Sequence, residues 1–209
     1  MRIDLHVHTR ERSSCAHSST EDMIRAAIER DLDGLVISDH DRLVPKERLR
    51  IINVKYAPFR VFGGVEVTTR GEHILVLGVD DPEIEGRYWR YPDLHRFVRE
   101  REGFLAVAHP YRFSPHQIGV DLERFPPDAL EVCSRNTPRS AEPRIRELGE
   151  ELHVPLLSNS DAHRASDVGG YYNELDQKPR DVEALVSILK SGASEPVAPT
   201  WVGACSRWW

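Results

Sequence analysis

The segment Asp4-Leu5-His6-Val7-His8 sets two imidazoles two residues apart in a strand-like run. The strand period of two places Asp4, His6 and His8 on one face, opposite Ile3, Leu5 and Val7. Imidazoles spaced in this way can share one divalent metal ion. Similar groups follow other apolar runs. Ser38-Asp39-His40-Asp41 comes directly after Leu35-Val36-Ile37, Glu66 lies near the end of a third run, and His73 enters a fourth. His109 follows Leu105-Ala106-Val107-Ala108, and Asp161 and His163 follow Pro155-Leu156-Leu157. Five strand ends or hairpin entries thus deliver His or a carboxylate to the carboxyl edge, where α/β folds place their sites. Crowding these groups without compensation is costly, and a multivalent metal offsets that cost and explains the N/O donor mixture. Six of the ten histidines belong to this set: His6, His8, His40, His73, His109 and His163. His95, His116 and His153 fall in or beside helical segments and read as surface or packing residues.

Apolar, β-branched stretches predict seven strands, at 2–7, 34–38, 60–67, 73–79, 104–108, 129–133 and 155–158. Helical segments are predicted from Ser19 or Thr20 to Arg30 and over 92–102, 139–152 and 181–190. The alternation implies an α/β domain with a largely parallel sheet. Val67 and His73 are too close for a helical crossover, so strands three and four should form an antiparallel hairpin that puts His73 beside Glu66. The sheet is therefore expected to be mixed and short of an eight-stranded barrel.

The 209 residues suffice for one domain with a sizeable core. A barrel domain is expected over 1–190, with a tail over 191–209 whose Trp201, Trp208 and Trp209 cover the barrel or join two copies of the chain. A mean hydropathy of −0.48 and the lack of a long apolar run argue against a membrane span. With no signal-peptide pattern after Met1, a cytoplasmic protein is expected. Cys15, Cys133 and Cys205 are an odd number at no regular spacing and read as reduced thiols. The formal net charge of −6 gives no global field for nucleic acid and weighs against long polymers, so any polyanion would need a local basic patch.

In order along the chain, Asp4-Leu5-His6-Val7-His8-Thr9, Ser38-Asp39-His40, Gly64-Val65-Glu66, Gly71-Glu72-His73, Ala108-His109-Pro110 and Ser160-Asp161-Ala162-His163 resemble the PHP (polymerase and histidinol phosphatase) family. The resemblance implies a distorted seven-stranded (β/α) TIM-like barrel and two or three divalent ions, Zn, Mn or Fe. By it, one ion would be held by His6, His8, Glu66 and Asp161. A second would share Glu66 and add His73 and His109. A third would use His40, His163 and a residue of the first loop, where the family offers Asp or His and this chain has Cys15, with His17 two residues on. A Cys15 thiolate there would favour zinc. Glu131 also matches a recurrent family position and reads as support for a ligand rather than as one.

Such ions lower the pKa of a bridging water and clamp phosphoryl oxygens, so hydrolysis of phosphate esters needs no nucleophilic side chain. The leaving oxygen needs a proton, for which Asp39, His163 and a metal-bound water are candidates, and Glu66 bridges the ions. Of the 28 basic residues four are lysines, leaving 28 − 4 = 24 arginines, whose planar forks suit phosphate. Arg112, Arg135 and Arg164 closely follow site motifs and are the candidate substrate contacts. The leading expectation is a metal-dependent phosphoesterase acting on a small phosphomonoester or nucleotide-type phosphate. The competing readings are a nuclease acting on a 3′ or 5′ end of short oligonucleotides, a non-phosphate hydrolase, and a non-catalytic module of the same fold.

Overall fold

The computed structural model describes residues 1–198. In chain order the elements are β1 (Arg2–Val7), α1 (Thr20–Glu29), β2 (Gly34–Ile37), α2 (Lys46–Lys55), β3 (Arg60–Thr68), β4 (His73–Leu77), α3 (Tyr91–Glu100), β5 (Phe104–Ala108), β6 (Ala129–Cys133), α4 (Glu142–Leu152), β7 (Leu156–Ser158), β8 (Tyr172–Leu175), α5 (Val182–Lys190) and β9 (Ser194–Val197). They form a mixed α/β fold around one nine-stranded sheet, in the order β7-β6-β5-β4-β3-β2-β1-β8-β9. β1, β2 and β3 are parallel, as are β5, β6 and β7. The predicted β3–β4 hairpin is antiparallel and pairs Thr68 with His73, while β4 runs antiparallel to β5.

The sheet curls until its ends nearly meet. Buried Asn173 of β8 accepts from the Ser158 N–H (3.0 Å) and donates to the Ser158 carbonyl (2.8 Å), and the Ser158 hydroxyl donates to the Val197 carbonyl of β9 (2.7 Å). One amide thus ties β8 to the end of β7. Replacing Asn173 by Leu should leave two buried backbone groups unpaired, at a cost of about 3 kcal/mol. A urea titration checks this, and an unchanged midpoint would show that the closure does not depend on Asn173.

Seven predicted strands are present, but the expected seven-stranded count is corrected to nine. β8 has a polar, half-exposed sequence, and Pro196 in β9 lacks the N–H of a central strand, so neither carries a strong strand signature. β9 also falls inside the segment read as a tail, whereas Trp201, Trp208 and Trp209 lie outside the described residues. The helix α2 was not predicted because only Ile52 of it is buried. No helix among the described residues is long and apolar enough to cross a membrane. Cys15 is an exposed free thiol, and Cys205 lies outside the described residues.

Three apolar clusters hold the layers together. α5 contributes Leu185 and Leu189 to a cluster with Ile3, Leu5, Phe62 and Phe104. α1 contributes Met23 and Ile24 against Val7, Leu35 and Ile37. α3 packs Leu94 and Phe97 with Val65, Val67 and Ile74. Ile3 and Leu5 therefore part company with Val7, because the β1–β2 register shifts between Asp4 and Val7. That irregularity falls within the Asp4 to His8 segment from which the two histidines project.

Candidate metal centre

The parallel strands all end on one rim, and the antiparallel turn returns His73 to it. Glu66, 1% exposed, occupies the middle of the cluster. Its Oε1 lies 2.9 Å from His73 Nδ1 and 3.0 Å from His109 Nε2. Its Oε2 lies 3.0 Å from His40 Nδ1, 3.1 Å from His8 Nε2 and 3.3 Å from His6 Nε2. Asp161 Oδ1 faces the same two nitrogens, 3.3 Å from His6 Nε2 and 3.2 Å from His8 Nε2. His163 sits at the edge, its Nδ1 3.0 Å from the Asp161 carbonyl oxygen.

Hydrogen-bond partners fix which ring nitrogens are free. Carboxylate and carbonyl oxygens only accept, so Nδ1 carries the proton both in His6, against Glu131 Oε2 (3.0 Å), and in His163. The Ser13 hydroxyl donates to Asp39 (2.9 Å) and accepts from the His40 N–H (2.9 Å), so it also accepts from His8 Nδ1 (3.3 Å). The Nε2 atoms of His6 and His8 therefore face Glu66 and Asp161. Glu131 is itself fixed by donors from the His109 N–H (3.1 Å) and Asn159 Nδ2 (2.9 Å), and it supports a ligand as the sequence suggests.

Charge couples the group. Burial alone would raise the Asp161 and Glu66 carboxyls, but the facing histidines, His6 foremost, hold both well below the carboxylate range. Burial would lower His6, and the charges of Asp161, Glu66 and Glu131 lift it well above the usual value instead. His40 is pushed down to about 4 by burial, which the charge of Glu66 offsets only in part and the neighbouring histidines reinforce.

Two buried oxygens, Glu66 Oε2 and Asp161 Oδ1, have no hydrogen-bond donor, although both face histidine nitrogens. Buried carboxylate oxygens left this way, among lone pairs, fit a cation. Three groups of donor atoms are close enough to hold one: His6, His8, Glu66 and Asp161; His40, Glu66 and His73; and His8, His40 and His163. The first group is the expected set. In the second His40 replaces His109, which nevertheless reaches Glu66, and in the third His8 stands where Cys15 or His17 was expected. Both first-loop candidates are exposed and belong to none of these groups. Partial burial and nearby acids push the Cys15 thiol up, which makes it a poor thiolate. Cys15→Ser and His17→Ala should therefore leave metal stoichiometry unchanged by elemental analysis, and loss of an equivalent in either would restore the loop ligand.

Asp39, one of the candidate proton sources, anchors the first loop. Its oxygens accept from the Thr9 N–H (2.6 Å), the Thr9 hydroxyl (2.7 Å) and Ser13. Of the three candidate arginines, Arg112 reaches the cluster, its guanidinium 3.3 Å from His109 Nε2 and 3.6 Å from Asp161 Oδ2. Arg135 instead pairs with Asp167 at 3.1 Å, and Arg164 is exposed. Sequence reasoning missed Ser13, Asn159 and Asn136, the last donating to Asp161 at 2.6 Å. It also missed Phe113, whose ring stands edge-on to His73 at 4.9 Å. The signal available was the density of small hydrogen-bonding residues after each strand. His109 and Asp161 have φ of 32° and 50°, backbone strain of the kind concentrated at functional sites.

A family model described as PHP-associated matches residues 140–194. No curated protein matches the chain. Among solved structures, PsfC from Pseudomonas syringae PB-5123 is similar at 19% identity and a TM-score of 0.67, covering 95% of this chain and 91% of its own. A two-domain protein from Bacteroides vulgatus, containing a predicted PHP-like metal-dependent phosphoesterase, is similar at 14% identity and 0.69. The match covers 95% of this chain and 64% of that one. A lesion-specific endonuclease from Pyrococcus furiosus is similar at 18% and 0.65, over 93% of this chain and 57% of that one. The chain thus spans less than two thirds of the last two proteins.

Proposed function

We propose that this chain, whose residues 140–194 match a PHP-associated family model and whose fold is similar to that of a protein containing a predicted PHP-like phosphoesterase, is a PHP-family metal-dependent phosphoesterase acting on small phosphomonoesters or nucleotide-type phosphates. The observation that carries this reading is the pair of donorless carboxylate oxygens, Glu66 Oε2 and Asp161 Oδ1, set among histidine nitrogens with Arg112 beside them. His6, His8, Glu66 and Asp161 would hold one ion, and His40, His73, His109 and His163 would complete one or two more. Bound divalent ions would supply a water of lowered pKa and positive charge against phosphoryl oxygens. Imidazole and carboxylate donors suit Zn, Mn or Fe, and the exclusion of Cys15 from the donor groups removes the particular argument for zinc.

The remaining work falls to the chain. Glu131 and Ser13 hold the Nδ1 atoms of His6 and His8, so that Nε2 would be the ligating atom of each when an ion displaces its proton. Arg112 would orient the phosphoryl group, and Phe113 would shield one side of it. His163, partly exposed at the rim with Nδ1 committed to the Asp161 carbonyl, would use its one remaining nitrogen, Nε2, as a ligand where a third ion binds and as the proton source for the leaving oxygen where it does not. The test is turnover of p-nitrophenyl phosphate, bis(p-nitrophenyl) phosphate and mononucleotides by protein stripped with chelator and reloaded with Mn²⁺ or Zn²⁺. Turnover restored only by metal is expected. Silence on every phosphate with metal bound would overturn the reading in favour of a non-phosphate hydrolase or a non-catalytic module.

A further inference from the structure

β5 and β6 are parallel neighbours, and in an α/β fold such a pair is usually joined by a crossover helix. This pair is joined by residues 109–128, which contain no helix. Connections of that length without regular structure are uncommon in a compact domain, and they usually carry function. This one opens on His109 and supplies Arg112 and Phe113. His109 and Tyr111 have φ of 32° and 65°, and the Arg112 N–H donates to the His109 carbonyl (3.2 Å), so the chain doubles back at once. A tyrosine in this left-handed conformation costs about 1–3 kcal/mol and persists only where its surroundings hold it.

The two halves of the loop are held differently. In the second half the Gly119 N–H donates to the buried Glu72 Oε1 (3.0 Å), Leu122 joins the apolar cluster of α3, and the carbonyls of Phe125 and Pro126 accept from Tyr91 (2.9 Å) and Arg99 (3.1 Å). Gly119 also lies so close to Gly71 that a Cβ on it would stand 2.7 Å from the Gly71 Cα. That end is therefore fixed against the turn that carries His73. The stretch 112–117 is largely exposed, Phe113 to 52%, and lacks such packing. What holds it is Arg144 of α4, whose guanidinium donates to the carbonyls of Pro115 (2.5 Å) and His116 (3.0 Å) and lies 4.3 Å from the centre of the Tyr111 ring. Among the described residues no other side chain hydrogen-bonds 113–117. Glu147 stands three residues along the same helix, yet Arg144 turns to the loop. One exposed side chain thus grips the reversal on both sides of Arg112.

We propose that Arg144 is a positioning residue: through Tyr111, Pro115 and His116 it sets where Arg112 stands over the metal centre, and so how tightly the site holds a phosphoryl group. The phosphoryl part rests on the phosphoesterase reading; the pinning of the loop does not. The experiment measures Arg144→Ala in metal-loaded protein with p-nitrophenyl phosphate, alone and combined with Arg112→Ala, and the rate at which trypsin cuts the exposed Arg112–Phe113 bond. Arg144 belongs to none of the donor groups, so metal content should not change. KM should rise about 10-fold with kcat falling less than about twofold, a loss bounded by the Arg112 contact through which Arg144 acts. In the Arg112→Ala background the same substitution should change kcat/KM by less than about twofold, because residues acting through one contact are not additive. A merely structural role would cost the same in both backgrounds. Trypsin should cut after Arg112 at least about fivefold faster in Arg144→Ala, the loosening expected from two lost hydrogen bonds. An unaltered KM, or an equal loss with and without Arg112, overturns the positioning role. An unchanged rate of cleavage overturns the pinning. Faster cleavage with silence on every phosphate would sink the phosphoesterase reading and leave the pinned loop standing.

Discussion

Glu66→Gln should abolish metal-dependent turnover while leaving the fold intact. Glu66 offers both oxygens to five imidazoles, those of His6, His8, His40, His73 and His109, so no other residue can replace it. An amide of the same shape keeps one acceptor but turns an N–H₂ donor toward nitrogens that must present lone pairs. The loss should be about 1000-fold or more in turnover, since bound ions supply several kcal/mol of charge stabilisation. Stability supplies a second readout. A metal at 100 times its dissociation constant stabilises a protein by about 2.7 kcal/mol, or about 5–10 °C in Tm for a chain of this size. Wild-type protein should show that gain and Glu66→Gln should lose most of it. In chelator the variant should melt lower than the wild type, because the facing histidines hold Glu66 ionised and its loss removes one of the charges that lift His6. Full activity in Glu66→Gln would falsify the assignment of Glu66 as the shared ligand.

The legibility of this site in the sequence follows from where its information is stored. His6 and His8 are set by strand periodicity, and His73 beside Glu66 by the shortness of a turn; both are local rules, and the structure agrees at 2.9 Å. The register shift in β1 breaks the same rule at Val7, which leaves the face it was assigned to. No local pattern encodes such a slip, because it is set by pairing with β2. β8 and β9 were invisible for a related reason. What makes Tyr172–Leu175 a strand is pairing with β1 and the bonds of Asn173 to β7, contacts to segments distant in sequence.

The first-loop ligand shows the limit from the other side. The family resemblance nominated Cys15, at the position where the family offers Asp or His, and His17 two residues on as a substitute. The loop instead uses Ser13, whose single hydroxyl holds Asp39, His40 and His8 together, and His8 and not a loop residue joins His40 and His163. A hydroxyl acting on three partners leaves no trace in composition or spacing.

Arg112→Ala should raise KM for a phosphate ester with kcat falling less and metal content unchanged. The loss of one charge-assisted contact to a phosphoryl oxygen is worth about 2 kcal/mol, or about 30-fold in kcat/KM. Two roles compete for this side chain, because its guanidinium lies 3.6 Å from Asp161 Oδ2 as well as over the cluster. If its task were to screen Asp161, the substitution would alter metal affinity and leave KM at saturating metal alone. Geometry favours the substrate role: Asn136 already donates to that same oxygen at 2.6 Å, so Asp161 does not depend on Arg112. Arg112→Lys separates the roles further. A lysine restores charge near Asp161 but not the planar fork that meets two phosphoryl oxygens, so KM should stay well above the wild-type value. An unaltered KM in Arg112→Ala would refute the substrate contact, and a KM fully restored by lysine would reduce the role of Arg112 to charge alone.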